Sequence, residues 1–224
     1  MLKPILVAAI ATAALATSAS AATLNGFFSV TAVNAVNLDS NESKATIENA
    51  EAAYDAMIGT EYVNPRDDFT YEGDLSFGTS DGTDATTISD WLATGGGDVQ
   101  GLDSEFGGLQ LSKPDIGKGT ATTTFFLFTT ILNMVGDFVI DHDDGIAVGD
   151  DGVRIGRNDG PTVERTTKVF GFDGGEFSLL YVATNGDPSV LRVNGDLAPI
   201  PLPATLPLLL VGMGGLAMMR RKHV

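Results

Sequence analysis

From Thr122 to Leu132 the chain reads TTTFFLFTTIL, an unbroken run of β-branched, aromatic and aliphatic side chains without glycine, proline or charge. Such a run reads as a strand. Gly136–Ile140, Val153–Ile155, Thr162–Phe170, Glu176–Val182 and Ser189–Val193 continue the pattern. Turn clusters separate them: HDDG at His142–Gly145, GDDG at Gly149–Gly152, NDGP at Asn158–Pro161, DGG at Asp173–Gly175 and NGDP at Asn185–Pro188. Short strands punctuated by Asp-Gly and Asn-Gly predict antiparallel pairing through tight turns. The expected fold is mainly β, an antiparallel, jelly-roll-like β-sandwich, and no repeat of fixed period accompanies it.

Working back from that block, the first half is mixed. Phe27–Val33 alternates weakly and reads as an opening strand. Ser40 or Asn41 is placed to cap a helix running through Ile58, with Ile47, Ala50, Tyr54 and Met57 at helical spacing on an expected core face. Phe69, Tyr71, Leu75 and Phe77 return to period two, and Thr87–Leu92 predicts a short helix ahead of Gly95-Gly96-Gly97. Trp91 is expected to pack in the core rather than to stack on a ligand.

Both ends of the chain carry targeting signatures. Lys3, the apolar run Ile5–Ala16 and Ala19-Ser20-Ala21 form a secretory signal peptide over residues 1–21, to be removed by signal peptidase. At the other end Leu202–Met219 is free of charge, about 27 Å if helical and just short of a bilayer's hydrocarbon core. The following Arg220-Arg221-Lys222 places that end in the cytoplasm and the body outside. Pro201, Leu202, Pro203 and Ala204, the apolar stretch and the basic end together resemble the VPLPA variant of the PEP-CTERM sorting signal, with Ile200 in place of the first Val. The resemblance covers residues 199–224. It implies recognition of the tail by an exosortase, cleavage near the proline motif, and release to the cell surface or its exopolysaccharide matrix. In that reading Arg220 and Arg221 belong to the sorting signal.

Between these ends lie about 180 residues, residues 22–198, enough for one extracellular domain. All 29 acidic residues fall inside this body, whereas Lys3, Arg220, Arg221 and Lys222 of the 13 basic residues fall outside it. A surface so acidic repels nucleic acid and anionic lipid, and it suits divalent cations. Cysteine is absent, which excludes disulfides and thiolate chemistry.

The densest acidic cluster is Asp141-His142-Asp143-Asp144-Gly145, followed by Gly149-Asp150-Asp151-Gly152. Carboxylates held together raise one another's pKa unless a cation intervenes, and oxygen ligands suit calcium. Asp141, Asp143 and Asp144 are the candidate metal ligands. An EF-hand is ruled out, because Gly145 stands at the third ligand position and no Glu closes the loop. Hairpin turns account for the same residues without metal, since Asp-Gly supplies positive φ and local hydrogen bonds. That reading is preferred for Asp150-Asp151-Gly152 and stays open for Asp143-Asp144.

A second resemblance bears on that pair. Asp137-Phe138-Val139-Ile140 leading into Asp143-Asp144-Gly145, then Ile146, Val148 and Gly152, Gly174-Gly175-Glu176-Phe177, Tyr181 and Val190-Leu191-Arg192-Val193 are together similar to the protective-antigen-type β-sandwich of bacterial glycosidases, toxins and yeast flocculins. In the adhesive members paired aspartates joined by a cis peptide bind calcium, which holds sugar hydroxyls together with an Asn from a second loop. By position the resemblance implies these roles for Asp143 and Asp144, with Asn185 as the loop Asn. It spans about Thr120–Asn194. Ile146-Ala147 replace the usual long side chain after the turn, and residues 22–119 have no clear counterpart.

Histidine-dependent catalysis is nearly closed off, because His142 and His223 are the only histidines and no nucleophile elbow accompanies them. Zinc sites built from several His or Cys are excluded in the body. A glycosidase needs only two carboxylates, and no spacing here selects a pair. The leading expectation is a non-catalytic surface or matrix protein that binds exopolysaccharide through calcium; the alternative is an acidic structural matrix protein without a defined ligand.

Overall fold

The Thr122–Leu132 run forms the middle strand of a seven-stranded antiparallel sheet. A computed structural model of the chain describes residues 21–55, 64–79, 86–114 and 121–200. In chain order its strands are β1 (Ala22–Thr23), β2 (Asn25–Val36), β3 (Arg66–Asp74), β4 (Ser76–Gly78), β5 (Asp98–Gln100), β6 (Thr122–Leu132), β7 (Met134–Asp143), β8 (Gly145–Asp150), β9 (Val153–Asn158), β10 (Arg165–Phe172), β11 (Gly175–Ala183) and β12 (Val190–Pro199). Helices α1 (Ile47–Asp55), α2 (Ile88–Thr94) and α3 (Ser104–Gly107) interrupt the first half.

The larger sheet runs β5-β3-β2-β6-β11-β8-β9. In the second sheet β12 pairs with β7, which pairs with β10, while β1 and β4 share the other edge of β12. The protein is thus a mainly β, antiparallel β-sandwich. Phe28, Val30, Phe126, Phe128, Tyr181, Phe138, Ile140 and Val193 fill the space between the sheets.

The absence of polar alternation in the first part of β6 has a structural cause: both of its faces are covered there, before the strand opens at Thr129–Ile131. Phe126 and Phe128 point between the sheets, and Phe125 and Leu127 point to the outer face, where residues 38–53 cover them. Alternate faces of one strand therefore serve two cores.

The first half departs from its sequence reading at α1. The side chain of Asp39 accepts from the N–H groups of Asn41 and Glu42, which turns the chain where a helix cap is expected. Thr46 caps instead, its Oγ1 accepting from Asn49 N at 3.1 Å. Ile47, expected in the core, is 44% exposed; Ala53 and part of Ala50 face the sheet. Tyr54, Met57 and Ile58 have side chains outside the described residues.

Trp91 is buried as expected, on α2 at the end of the sandwich. Its ring lies 4.5 Å from Phe77, 4.9 Å from Phe126 and 5.2 Å from Tyr181, and its Nε1 donates to Ser189 O. Thr87 caps α2 by accepting from Asp90 N.

The signal peptide over 1–21 and the sorting tail over 199–224, with its Pro201–Ala204 motif, Arg220 and Arg221, lie almost wholly outside the described residues. Among the described residues no helix is long and apolar enough to cross a membrane. Among the described residues the first strand starts at Ala22 and the last ends at Pro199.

Replacing Trp91 by Ala removes this plug and is expected to cost about 3–5 kcal/mol. Ile131→Ala, at a position 63% exposed, should stay within about 0.5 kcal/mol. Denaturant midpoints of the two variants test the assignment, and equal midpoints would overturn it.

Candidate functional site

β7 passes into β8 through a single residue, Asp144, and the Asp143-Asp144 peptide is cis. Both aspartates are buried, 6% and 2% exposed respectively, at one end of the sandwich. Main-chain groups of two other loops hold the Asp144 carboxylate: Oδ1 accepts from Thr162 N at 3.0 Å and Oδ2 from Thr184 N at 2.8 Å. Its position is therefore set by folding of the β9–β10 and β11–β12 connections.

The two peptide carbonyls are held from within the core. Tyr181 Oη donates to Asp143 O at 2.5 Å. His142 Nδ1 lies 2.5 Å from Asp144 O, which can only accept, so Nδ1 carries the proton. Nε2 of the neutral ring then accepts from Thr167 Oγ1 at 2.8 Å. His142 is buried with both nitrogens engaged, and burial lowers its pKa, partly offset by the Asp144 carbonyl.

Burial pushes the Asp144 carboxyl up to about 8, against the pull of the two backbone donors and with the help of the neighbouring Asp143 charge. The two carboxyls lie within hydrogen-bonding reach of each other. Burial, then the charges of Asp144 and Asp143, also raises the Tyr181 hydroxyl well above its ordinary value.

A cleft of about 390 Å³ opens over the pair, lined among others by Asp143, Asp144, Thr162, Asn185 and Asp187. Asn185 stands exposed on the rim at φ 64°, followed by Gly186 at φ 93°, a left-handed pair that suits Asn and Gly. Gly186 N donates to Ser112 Oγ at 2.7 Å, which anchors the loop. Thr162 Oγ1 is buried in the cleft wall without a hydrogen-bond partner among the described residues.

Asp143, Asp144 and Asn185 thus share one cleft. Asp141 does not line it; its Oδ1 accepts from Thr166 Oγ1 at 2.5 Å across the β7–β10 pair. Asp151 and Gly152 form the β8–β9 hairpin at φ 46° and 77°, the positive-φ pair that sequence reading assigns to this turn. Among the described residues no group of three or more Asp, Glu, His or Cys side chains is placed to hold a metal. A cation over Asp143 and Asp144 would need neutral oxygens besides. Sequence reasoning missed Thr162 and Thr184, whose contributions are main-chain N–H groups with no side-chain signature.

No family model matches the chain, and no curated protein matches it in sequence. Three solved structures are similar in shape. One is a PA14 sugar-binding domain from an RTX adhesin, 14% identical over 74% of this chain and 88% of that one, with a TM-score of 0.44. Another is the PA14 domain of the antifreeze protein MpAFP, 14% identical over 77% and 84% at 0.45. The third is a GH31 alpha-xylosidase from Xanthomonas citri, 11% identical, of which 16% is covered, at 0.31. At these scores the likeness is loose, and the site stands on its own geometry.

The pKa of Asp144 implies a pH dependence. Its folded value of about 8 lies above the ordinary 3.8, so the folded chain binds the proton more tightly than the unfolded one. That contribution to stability is full below pH 4 and lost as pH rises through 8. Between pH 7 and 9 ordinary carboxylates no longer titrate, and comparison with Asp144→Ala separates the effect from the α-amino group. The melting temperature of the chelator-treated chain should fall over this interval, and fall less in Asp144→Ala. A flat profile in both would overturn the assignment.

Proposed function

We propose that this protein is an exported, non-catalytic surface or matrix component that binds polysaccharide at the Asp143-Asp144 cleft with the help of calcium. The observation that carries the reading is the pair of adjacent buried carboxyls at the floor of a solvent-open cleft with the Asn185 amide on its rim. The residues fit a hard cation: Asp143 and Asp144 supply charge, and the Asn185 amide, loop carbonyls and Thr162 Oγ1 are candidate neutral oxygens. Bound calcium would supply open coordination positions for vicinal sugar hydroxyls. Tyr181 and His142 serve this site by fixing the backbone from below. With both ring nitrogens engaged, His142 is not a free general base.

Export and sorting belong to the same proposal. Among the described residues the first strand begins at Ala22 and the last ends at Pro199, so cleavage after Ala21 and near Pro201–Ala204 would spare every described strand. Signal peptidase and an exosortase are the implied processing partners, exopolysaccharide the implied ligand.

The full-length chain is expected to be retained on immobilised exopolysaccharide from the producing cell, with retention lost in chelator and in Asp143→Ala. Equal retention with and without chelator would remove calcium from the proposal, and absence of retention in both would remove the sugar and favour a structural matrix role. Mass spectrometry of the secreted protein should give termini near Ala22 and Ala204; an intact end carrying Arg220 and Arg221 would overturn the sorting reading.

A further inference from the structure

β8 carries a second carboxylate pair at its other end, roughly 20 Å from the first. Asp150 closes the strand opposite Phe177 of β11 and is 6% exposed. One of its oxygens is satisfied, Oδ2 accepting from Asp173 N at 2.9 Å in the β10–β11 turn. The other, Oδ1, is buried without a hydrogen-bond partner among the described residues. The Asp173 carboxyl, on an exposed residue, lies within hydrogen-bonding reach of Asp150. The ion pairs found among the described residues involve neither aspartate.

Asp151 does a different job beside them. Its Oδ1 accepts from Glu176 N at 2.7 Å and its N–H donates to Glu176 O, which ties the hairpin to the start of β11. Asp150 is not needed for that clasp. Two carboxylates that can only accept are thus held face to face, one with a buried oxygen lacking any donor. An unmet buried acceptor costs on the order of 1–3 kcal/mol, and more when charged.

A shared proton or a bound cation would relieve this arrangement. Burial, with the nearby Asp173 and Asp151 charges, raises the pKa of Asp150, which makes the proton the competitor to beat. Three observations favour the cation. Asp173 is open to solvent, so an ion has a way in. Asp151 adds negative charge beside the pair. The chain as a whole carries 29 acidic against 13 basic residues, which concentrates cations at its surface.

We propose that Asp150 and Asp173 form a divalent-cation site, of the hard oxygen-ligand class that calcium fills, which clamps the β8–β9 hairpin to the β10–β11 turn. Asp150 supplies the buried oxygen and Asp173 the exposed one; main-chain carbonyls of the two turns and water complete the shell. The site is separate from the Asp143-Asp144 cleft and does not depend on the function assigned there.

The test uses the full-length chain, stripped with chelator and titrated with calcium chloride alone, in calorimetry and equilibrium dialysis. Asp150→Asn and Asp173→Asn should each remove one equivalent of bound calcium or weaken it by at least about tenfold. Asp143→Ala should leave that equivalent in place. Calcium should also slow amide exchange at Asp173 and Glu176, and Asp173→Asn should abolish the slowing. If Asp150→Asn fails to fold, the exposed Asp173→Asn carries the test. Wild-type stoichiometry and affinity in the Asn variants would overturn the site, as would absence of calcium uptake by the wild type, which assigns the pair to a shared proton. Loss of uptake in Asp143→Ala alone would support the cleft and reject this site.

Discussion

The Tyr181 ring lies against Trp91, centroids 5.2 Å apart and planes within 9°, while its hydroxyl donates to the carbonyl of Asp143. One buried side chain thereby joins the aromatic core to the floor of the cleft. Its neighbours are fixed in turn: Trp91 stacks on Phe126 and tilts against Phe77, and Phe77 sits on β4 against the edge of β12. The ring cannot shift without disturbing contacts from both sheets and from α2. The position of the Asp143 carbonyl is in this sense a property of the whole core.

From above, Asp144 is held by loops. Asp144 accepts from Thr162 and Thr184 N–H groups that belong to different connections, so its carboxylate closes only when both loops have reached their folded positions. A carboxylate bonded in this way favours its charged form, and burial opposes it. Burial has the larger effect here, since the group is raised rather than lowered. The fold therefore builds a carboxylate placed for charge yet short of compensation for it.

How much of this could be read in the sequence depended on whether side chains or main chain carried the contact. β6 was legible to the residue because its first part is buried on both faces and Thr129–Ile131 continue the run in β-branched residues. α2 was legible because Thr87 is both cap and boundary. β8, GIAVGD, is poor in strand formers and pairs only because β11 and β9 lie on either side of it. β12 runs past Val193 through Asn194-Gly195-Asp196, where pairing with β7 overrides weak propensity. At α1 a local competition decided the outcome, Asp39 capturing the N–H groups that a cap at Ser40 or Asn41 would have left helical. In the cleft, the Asp143-Asp144 pair and Asn185 were visible as motif and turn residues. The donors on Thr162 and Thr184 were not, because a backbone N–H looks the same at every position.

The two ends of β8 show what separates a structural carboxylate from one that needs a further partner. Asp151 is satisfied within its hairpin clasp and is exposed, so water screens the rest of its charge. Asp144 has a donor on each oxygen but lies buried beside a second carboxyl. Asp150 has a donor on one oxygen only, and its other oxygen is shut away from water. Sequence reading sets Asp144 apart only through its resemblance and takes Asp150 and Asp151 alike as acids of one hairpin turn. The ordering by unmet demand, Asp150 and Asp144 above Asp151, comes from burial and donor count, and it follows the strand from one end of the sandwich to the other.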